Sequence, residues 1–375
     1  MKIFEIHPEE KHLIKKFSEV TFSIYKNIPQ WVPALQGEVE AKFDHRKNPY
    51  FLHSEAAFFL AVDDDGLPVG RVAILDNRNF NEYNHEKTAF FTLFECIDDL
   101  DTSSALLSAG FNWVKNRGLN KVKGPQGFTA LDGLGLLVKG FDYRPAFGIP
   151  YNPEYYVRLI ESAGFHGVGG DIVSGYLDIN SEFPREKMHE FSRRVQEKKG
   201  LRVVNFRTRA DLRRLVPELK NLYNGALGGT PGGVPLTDEE ANQMADQLIW
   251  FADPRLIKIL YKGENPVGFL FAYPDISAAL QRQKGRLWPF GWVDVLVERK
   301  RTQWINVNGA GIIEEYRGMG GTAILFSEMW KSVEGGHFTG GDIVQIGEDN
   351  TRMQNELEGL AITFHKKHRM FEITL

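Results

Sequence analysis

A glycine-rich stretch at residues 311–325, GIIEEYRGMGGTAIL, combines residue types that suit anion binding. Three glycines, Gly318, Gly320 and Gly321, stand between an apolar run and a segment of helical pattern, and Arg317 precedes them. Glycine lets the backbone approach a phosphate closely and adopt a positive φ. The start of a helix adds unpaired N–H groups and the positive end of its dipole. The stretch therefore indicates either a pyrophosphate site or a plain tight turn. It is neither a Walker loop, because Gly-Lys-Ser/Thr is absent, nor a full G-x-G-x-x-G motif.

Composition limits the class of protein. A chain of 375 residues with 42% apolar and 25% charged residues is typical of a soluble globular protein of two or three domains. A net charge of −4 argues against non-specific nucleic-acid binding. The single cysteine, Cys96, excludes an intrachain disulfide and a cysteine-cluster metal site. No signal peptide and no apolar run of ~20 residues is seen, so the sequence predicts a cytoplasmic protein without a membrane partner or a metal.

Two passages in different halves of the chain are alike. Residues 56–75 and 255–273 each read as strand, tight polar turn and strand, and both turns end in Pro-Val-Gly. Further on, Asn152 and Asn350 each stand where a helix is predicted to begin, and asparagine is a favoured N-cap. A duplicated fold with different loops is the preferred interpretation.

Each half is predicted to contain a hairpin, a third strand, a helix, a strand, a second helix and final strands. In the first half the helix after the third strand is capped near Asp101 and ends at Gly118. In the second half the corresponding helix carries an apolar stripe that is predicted to face the core: Leu325, Phe326, Met329, Trp330 and Val333. The polar segment 186–200 is predicted to be a connecting helix. The expected fold is therefore α/β (α+β), with domains at 1–195 and 196–375, each a mixed, largely antiparallel twisted sheet flanked by helices.

The order of elements around the glycine turn resembles the acyl-CoA-binding half of the GNAT N-acetyltransferase superfamily. That family's signature is Arg/Gln-x-x-Gly-x-Gly/Ala; Arg317 takes its first position and Gly320 its invariant glycine. Thr322 stands where Gly or Ala is usual, and Glu314 where proline is common. The resemblance implies that the turn's backbone amides hold the pyrophosphate of acetyl-CoA or another acyl-CoA, with Asn350 beside the pantetheine arm. The coenzyme-binding residues that it implies are Ile312, Ile313, Arg317, Gly318, Met319, Gly320, Gly321, Thr322 and Asn350.

The resemblance extends to the first half. More narrowly, the chain resembles a group of bacterial tandem-GNAT proteins described as acetyltransferases. The similar segments are LFECIDD at residues 93–99, where the group has FFECIDD, Gly-Pro at 124–125 and PYNPEYY at 150–156. At the position of the glycine turn, however, the first half has CIDDLDTSS, with Asp98, Asp99 and Asp101. Carboxylates facing a pyrophosphate repel it. The N-terminal domain is therefore expected to lack the pyrophosphate loop.

The catalytic residues are less clearly marked. Acyl transfer to an amine needs a base, donors for the oxyanion and an acid for the thiolate. The family often uses a tyrosine of the last helix as that acid, but Leu357 and Ile160 occupy the matching positions. The candidates are Glu95 and Glu315 as base, with surface or capping carboxylates as the alternative, and Tyr156, with simple packing as the alternative.

Three functions fit the resemblance. The first is an acyl-CoA-dependent N-acyltransferase that acts on an amine of a small molecule or peptide, with the coenzyme in the C-terminal half. The second is a non-catalytic acyl-CoA-binding or scaffold protein, and the third an aminoacyl-tRNA-dependent transferase, although nucleic acid is not expected from the charge. An open cleft that reaches Arg317 favours the enzyme, whereas a cleft filled by aromatic side chains favours the scaffold.

Three further segments carry simpler predictions. Residues 226–240 should form a flexible loop, a candidate lid, followed by a helix with Thr237 as N-cap. Residues 364–372, FHKKHRMFE, should form a strand with solvated basic residues. The basic and aromatic insert 277–301 could pack across the other domain, line a pocket or touch an acidic partner, and packing is the default expectation.

Overall fold

The computed structural model describes residues 1–178, 184–227, 233–351, 353 and 362–375. Packing divides the chain into two compact units, each built from separate stretches of sequence. The first unit comprises Met1–Ile172, Ser277–Asp294 and Lys366–Leu375; the second comprises Val173–Ile276 and Val295–His365. The division between residues 195 and 196 concerns the duplicated halves of the sequence, and it stays a prediction.

The first half of the chain supplies seven strands and five helices among the described residues. The strands are β1 Lys2–Glu5, β2 Glu55–Val62, β3 Pro68–Asp76, β4 Thr88–Cys96, β5 Lys121–Gly124, β6 Leu136–Lys139 and β7 His166–Asp178. The helices are α1 Lys11–Ile24, α2 Glu38–Ala41, α3 Arg78–Asn84, α4 Leu100–Asn116 and α5 Tyr155–Ser162, with a 3-10 turn at Pro49–Leu52.

The second half repeats this order with different connections. Its described strands are β8 Leu201–Asn205, β9 Ile257–Lys262, β10 Asn265–Pro274, β11 Trp304–Ile312, β12 Gly340–Gly347 and β13 Thr363–Thr374. Its described helices are α6 Arg185–Lys199, α7 Arg209–Arg213, α8 Val216–Leu227, α9 Asp238–Phe251, α10 Ser277–Gln283, α11 Gly291–Arg301 and α12 Gly321–Glu334, with 3-10 turns at Pro254–Leu256 and Glu314–Tyr316. No helix of the described residues is both long and apolar enough to cross a bilayer.

The two units share one sheet pattern. In the first, β1, β2, β3, β4 and β5 lie side by side, antiparallel except for the parallel pair β4–β5. In the second, β8, β9, β10, β11 and β12 follow the same order, and only β11–β12 is parallel. The predicted mixed, largely antiparallel sheets of an α/β fold are confirmed.

The core of each unit lies between its sheet and one helix, which is α4 in the first unit and α12 in the second. In the first unit, Leu106 and Leu107 of α4 are fully buried against the sheet. In the second, the predicted stripe of α12 is confirmed, since Leu325 and Trp330 are 1% and 3% exposed. Each helix thus starts at the end of a central strand, where the candidate turns lie.

Several local predictions are confirmed. Helix α6 covers the predicted connecting segment and ends at Lys199, with Gly200 as its C-cap at a φ of 62°. Thr237 caps α9: its hydroxyl accepts from the N–H of Glu240, and the Glu240 carboxylate accepts from the N–H of Thr237. These signals are local in sequence, which is why the pattern of residue types is enough to predict them.

Other local predictions were wrong. Asn152 does not cap a helix: its side chain accepts from the N–H of Leu137 at 2.7 Å and donates to the Leu137 carbonyl at 3.2 Å, while α5 begins at Tyr155. Residues 364–372 do form a strand, but Lys366 and His368 are 1% and 0% exposed rather than solvated. In each case the partner is distant in sequence, so that no local pattern marks it.

Candidate functional site

The first unit contains a cavity of about 670 Å³. Its walls come from α1, from residues 31–42, from the end of β4 and from residues 147–152, and Lys284 and Arg286 also line it. Many lining side chains are apolar: Phe22, Trp31, Val32, Leu35, Val39, Leu93, Phe94, Leu136, Phe147 and Ile149. The volume is that of a site for a small molecule.

A β-bulge in β4 shapes one wall of this cavity. Between the pairs Ala73–Thr92 and Arg71–Glu95, β4 has one residue more than β3, and Leu93 has a φ of 51°. A positive φ is rare for leucine and is a sign of local strain, which proteins tend to keep at functional sites. Because of the bulge, Leu93, Phe94 and Glu95 all line the cavity.

Glu95 is the centre of a buried hydrogen-bonded cluster. Its Oε2 accepts from the hydroxyl groups of Tyr25 at 2.8 Å and Tyr156 at 2.7 Å. Its Oε1 lies 3.6 Å from Nη2 of Arg71, a residue that is only 3% exposed. Arg71 is fixed in turn by donating to the carbonyl of Phe17 at 2.7 Å. The carboxylate is thus held in one orientation at the cavity wall.

Burial tunes the protonation of this cluster. Burial raises the pKa of Glu95 above its usual range, although the Arg71 guanidinium and the tyrosine hydroxyls oppose the shift. Burial, together with the adjacent Glu95 carboxylate, raises the pKa of Tyr25 and of Tyr156. The tyrosines therefore stay protonated donors, and Glu95 becomes a better proton acceptor than an exposed glutamate.

The two tyrosines at the start of α5 join that helix to the end of β4. The Tyr155 hydroxyl donates to the carbonyl of Cys96 at 2.8 Å, and the N–H of Cys96 donates to the Tyr156 hydroxyl at 3.0 Å. Burial raises the pKa of the Cys96 thiol to about 12, so it is inert as a nucleophile. Both tyrosines do more than pack, and Tyr156 lies beside Glu95, the other candidate of this half.

A second charged group lies on the cavity wall. Lys42 Nζ is 3.3 Å from Asp132 Oδ1. Burial works to lower the pKa of Lys42, but the Asp132 and Glu38 carboxylates outweigh it and the pKa is raised. Burial raises the pKa of Glu38. The cavity therefore combines apolar walls with fixed, partly buried charges.

The glycine turn of the second unit has the geometry that the sequence predicts for an uncapped helix start. Gly318 and Gly320 have φ values of 78° and 86°. Gly320 is the N-cap of α12, and no side chain among the described residues caps this helix. A Cβ at Gly320 would lie 3.1 Å from Cγ1 of Val195. Among the described residues, no side chain therefore pairs with the first N–H groups of α12 at its cap position.

Arg317 supports this turn from within. Its Nε donates to the carbonyl of Ile312 at 3.0 Å and its Nη2 to the carbonyl of Ala226 at 2.9 Å. Its side chain thus ties the turn to the end of β11 and to the end of α8. The predicted lid, residues 226–240, includes residues 228–232, which lie outside the described residues. Its role as a lid stays a prediction.

The other predicted coenzyme-binding residues lie around the same turn. Ile312 ends β11, and the N–H of Ile313 donates to the Val267 carbonyl at 2.9 Å. Met319 precedes the cap, and Gly321 and Thr322 form the first residues of α12. Asn350 Oδ1 accepts from the N–H of Met353 at 3.1 Å, as an N-cap does. Residues 354–361, which include Leu357, lie outside the described residues.

The equivalent turn of the first unit is already filled by carboxylates. Asp99 caps α4: its Oδ2 accepts from the N–H of Thr102 at 2.8 Å and from the Thr102 hydroxyl at 2.5 Å. The predicted cap near Asp101 is therefore two residues earlier. Asp98 pairs with Arg158. A phosphate at this helix start would meet negative charge, in line with the expectation for this half.

A small cavity lined by described residues of the second unit lies apart from Arg317. A cavity of about 20 Å³ in this unit is lined by apolar side chains such as Phe326, Met329 and Trp330, and Arg317 does not line it. Glu315, the other candidate base, is exposed on the 3-10 turn Glu314–Tyr316. Within the described ranges, no cluster of three or more His, Cys, Asp or Glu residues could hold a metal ion.

The structure of this chain is similar to that of a solved tandem GNAT protein. A tandem GNAT protein from the clavulanic acid biosynthesis pathway superposes with a TM-score of 0.58 at 9% identity, and the match covers 100% of this chain and 98% of that one. This chain has the tandem GNAT fold. The resemblance seen in the sequence is thereby confirmed at the level of fold.

Two curated proteins match the tandem GNAT chain along almost all of its length. Protein YghO of Escherichia coli (strain K12) is 27% identical over 369 residues, with 96% of this chain and 93% of that protein covered. A bacterial ceramide synthase of Caulobacter vibrioides (strain NA1000 / CB15N) is 25% identical over 369 residues, with 96% and 95% covered. No protein-family model matches the chain.

The tandem GNAT fold allows the two units to be compared position by position. In the first, Glu95 pairs across the sheet with Arg71 next to the bulge. In the second, the residue after the matching Pro-Val-Gly, Phe269, pairs with Gly311. The ion pair of the first unit is thus replaced by a phenylalanine and a glycine. Sequence reasoning found Glu95 but missed Arg71, Tyr25 and Lys42, because only the fold brings them together.

Proposed function

We propose that the protein is an acyl-CoA-dependent N-acyltransferase whose second unit binds the coenzyme. One observation carries the proposal: the glycine turn of a GNAT fold leads into a helix that no described side chain caps. The N–H groups there suit a pyrophosphate, because the helix dipole and two positive-φ glycines favour a close-lying anion.

The residues of the turn are proposed to contribute to coenzyme binding in different ways. The backbone N–H groups at the start of α12 would receive the pyrophosphate, and Arg317 would keep the turn in shape through its two carbonyl partners. Asn350, at its own helix start, would lie along the pantetheine arm. When bound, the coenzyme supplies a thioester whose carbonyl carbon an amine can attack.

The acceptor is proposed to be an amine that carries a long alkyl chain. The cavity of the first unit offers both an apolar lining and a fixed carboxylate, Glu95. A full-length relative is named bacterial ceramide synthase, a name that describes joining an acyl group to a lipid amine. An amphipathic amine fits a cavity of this mixed character better than a compact polar molecule does.

Glu95 is proposed to accept the proton of the attacking amine. The nitrogen forms a bond to the thioester carbon, the carbon–sulfur bond breaks, and the thiolate leaves as free coenzyme A. The proton released by nitrogen passes to Glu95 Oε1 or Oε2, and the Tyr25 and Tyr156 hydroxyls hold that carboxylate in place. This role needs a carboxylate with a raised pKa, which burial provides.

The test is direct transfer in vitro. Purified protein is incubated with acyl-CoAs of two to sixteen carbons and with sphinganine or dodecylamine, and free thiol and amide product are both measured. The proposal expects amide and thiol in equal amounts, and expects Arg317→Ala to raise the KM for acyl-CoA by roughly tenfold or more through loss of two hydrogen bonds. Binding of acyl-CoA without amide formation from any amine would instead support the non-catalytic protein.

A further inference from the structure

The segment between α10 and α11 exposes an unusual set of apolar side chains. Trp288 and Phe290 are 81% and 78% exposed, and Trp292 and Val293 at the start of α11 are 47% and 40% exposed. We call these four side chains the aromatic surface. Apolar groups that cluster in this way on a protein's exterior mark an interaction site.

Hydrogen bonds fix the backbone that carries the aromatic surface. The N–H of Trp292 donates to the Leu287 carbonyl at 2.9 Å, and its indole Nε1 donates to the Pro289 carbonyl at 3.0 Å. The N–H of Val293 donates to the Phe290 carbonyl at 3.0 Å. The backbone is thus fixed in a conformation that presents the rings outward, although packing was the default expectation from the sequence.

Basic residues directly precede the aromatic surface, since Lys284 and Arg286 are both exposed. Asp294, which follows Val293, is engaged by Arg282 at 2.8 Å. The accessible charge next to the rings is therefore positive. Tryptophan and phenylalanine flanked by lysine and arginine are the side chains that anchor proteins at the interface of an anionic bilayer.

We infer that the aromatic surface docks the protein on the face of a membrane that contains anionic lipids. The rings would lie at the level of the headgroups, with Lys284 and Arg286 against the lipid phosphates. No part of the chain needs to cross the bilayer, and the docking departs from the sequence-based expectation of no membrane partner. The mixed pattern favours a lipid surface over an acidic protein, because the exposed area is chiefly large apolar rings.

The position of the aromatic surface adds a reason for docking. Lys284 and Arg286, just before Trp288, line the cavity of the first unit. The same segment is held to another part of the cavity wall: Gln281 Nε2 donates to the Pro29 and Trp31 carbonyls at 2.8 and 2.9 Å, and the N–H of Gln36 donates to the Gly285 carbonyl at 2.9 Å. A cavity wall fixed to a membrane-facing loop suits a ligand that arrives from the lipid phase.

The test is vesicle co-sedimentation of the full chain without any acyl-CoA or amine, so it stands apart from the test of transfer. Vesicles of phosphatidylcholine with phosphatidylglycerol should bind the protein, and pure phosphatidylcholine should bind it less. Trp288→Ser with Phe290→Ser should lower the partition coefficient about tenfold or more, because two exposed rings are lost. Lys284→Gln with Arg286→Gln should lower binding several-fold on anionic vesicles alone, as should added salt.

A matched control uses apolar side chains exposed elsewhere in the first unit. Leu52 and Leu67 are 68% and 60% exposed, and Leu52→Ser with Leu67→Ser should leave vesicle binding unchanged. The inference is overturned if wild type stays in the supernatant at millimolar lipid, or if the Trp288 and Phe290 variant binds as wild type does. It is equally overturned if sedimentation velocity shows that this variant only converts a dimer to a monomer, since the surface would then cover a second copy.

Discussion

The two units of this protein share a sheet pattern and a bulge, yet they have different residues at the end of their central strand. In the first, a cap carboxylate, Asp99, fills the start of α4, and the buried pair Arg71–Glu95 stands beside the bulge. In the second, no described side chain caps α12 at Gly320, and the bulge is flanked by apolar residues. One fold thus carries either an uncapped glycine turn or a buried carboxylate.

This contrast explains why a duplicated fold need not duplicate its function. A side chain caps the start of α4, whereas no described side chain caps that of α12. The first unit also holds a carboxylate whose pKa is raised by burial at the wall of a large cavity.

The largest expected effect comes from Glu95→Gln. The variant keeps the shape of the side chain but cannot take a proton, so kcat should fall by about 10²–10⁴. Acyl-CoA affinity should stay unchanged, because the turn of the second unit is untouched. In wild type, kcat/KM should fall as acid protonates Glu95, with a midpoint above the usual glutamate range because burial raises its pKa.

The control for this prediction is Glu315→Gln, the exposed carboxylate beside the glycine turn. It should keep turnover within about twofold of wild type. Thermal melting of both variants separates catalysis from folding, since Glu95→Gln leaves the buried Arg71 without its counter-charge. Should Glu315→Gln abolish turnover and Glu95→Gln keep it, the assignment of the base to the first unit is wrong.

The next effect is on stability in acid. Burial lowers the pKa of His368 in the first unit to about 4. Between pH 6.5 and 4 the unfolded chain therefore binds more protons at this site, so stability is lost as the pH falls through that window. His368 should account for roughly 2–3 kcal/mol of unfolding free energy lost between pH 7.5 and 4.5.

Urea unfolding of wild type and His368→Gln at both pH values measures this loss. The variant should be less stable at pH 7.5, because its fit is poorer, but should lose less stability on acidification. An equal loss in both proteins would show that other groups carry the acid sensitivity.

A smaller effect separates the two helix starts. Asp99→Ala removes a cap whose carboxylate accepts two hydrogen bonds from Thr102, and it should lower the unfolding free energy by about 1 kcal/mol. The cap position of α12, Gly320, makes no such side-chain bond. Asp99→Asn should recover most of the loss, since asparagine is also a good cap. Full stability of Asp99→Ala would mean that the carboxylate is not needed there.

Sequence reasoning reached the features that are encoded locally. The turn with Gly318 and Gly320, the hairpins, the core stripe of α12 and the Thr237 cap depend on residues within about one helical turn of each other. These signals fixed the fold class and the candidate coenzyme turn. They could not give Asn152 its true partner, because Leu137 lies fifteen residues away on β6.

The candidate acceptor site was only half predictable for the same physical reason. Glu95 was found as a carboxylate at a strand end, but Tyr25 lies 70 positions away from it in the chain, and Tyr156 lies 61 positions away. Likewise, His368 meets the Pro150 carbonyl across 218 positions, so its burial has no local signature. Such pairs exist only once the sheet has assembled, and the bulge that aims Glu95 at the cavity is set by strand register.

The central claim is that the uncapped start of α12 is the coenzyme site, and transferring the first unit's carboxylate into it tests this most directly. Calorimetric titration of coenzyme A into wild type, Gly320→Asp and Gly320→Asn separates charge from shape, since both side chains tolerate the left-handed backbone of Gly320. We predict that wild type binds, and that Gly320→Asp binds at least about tenfold more weakly than Gly320→Asn through repulsion of the pyrophosphate. Equal affinity of the two variants, or no binding by wild type at millimolar coenzyme A, would contradict the claim.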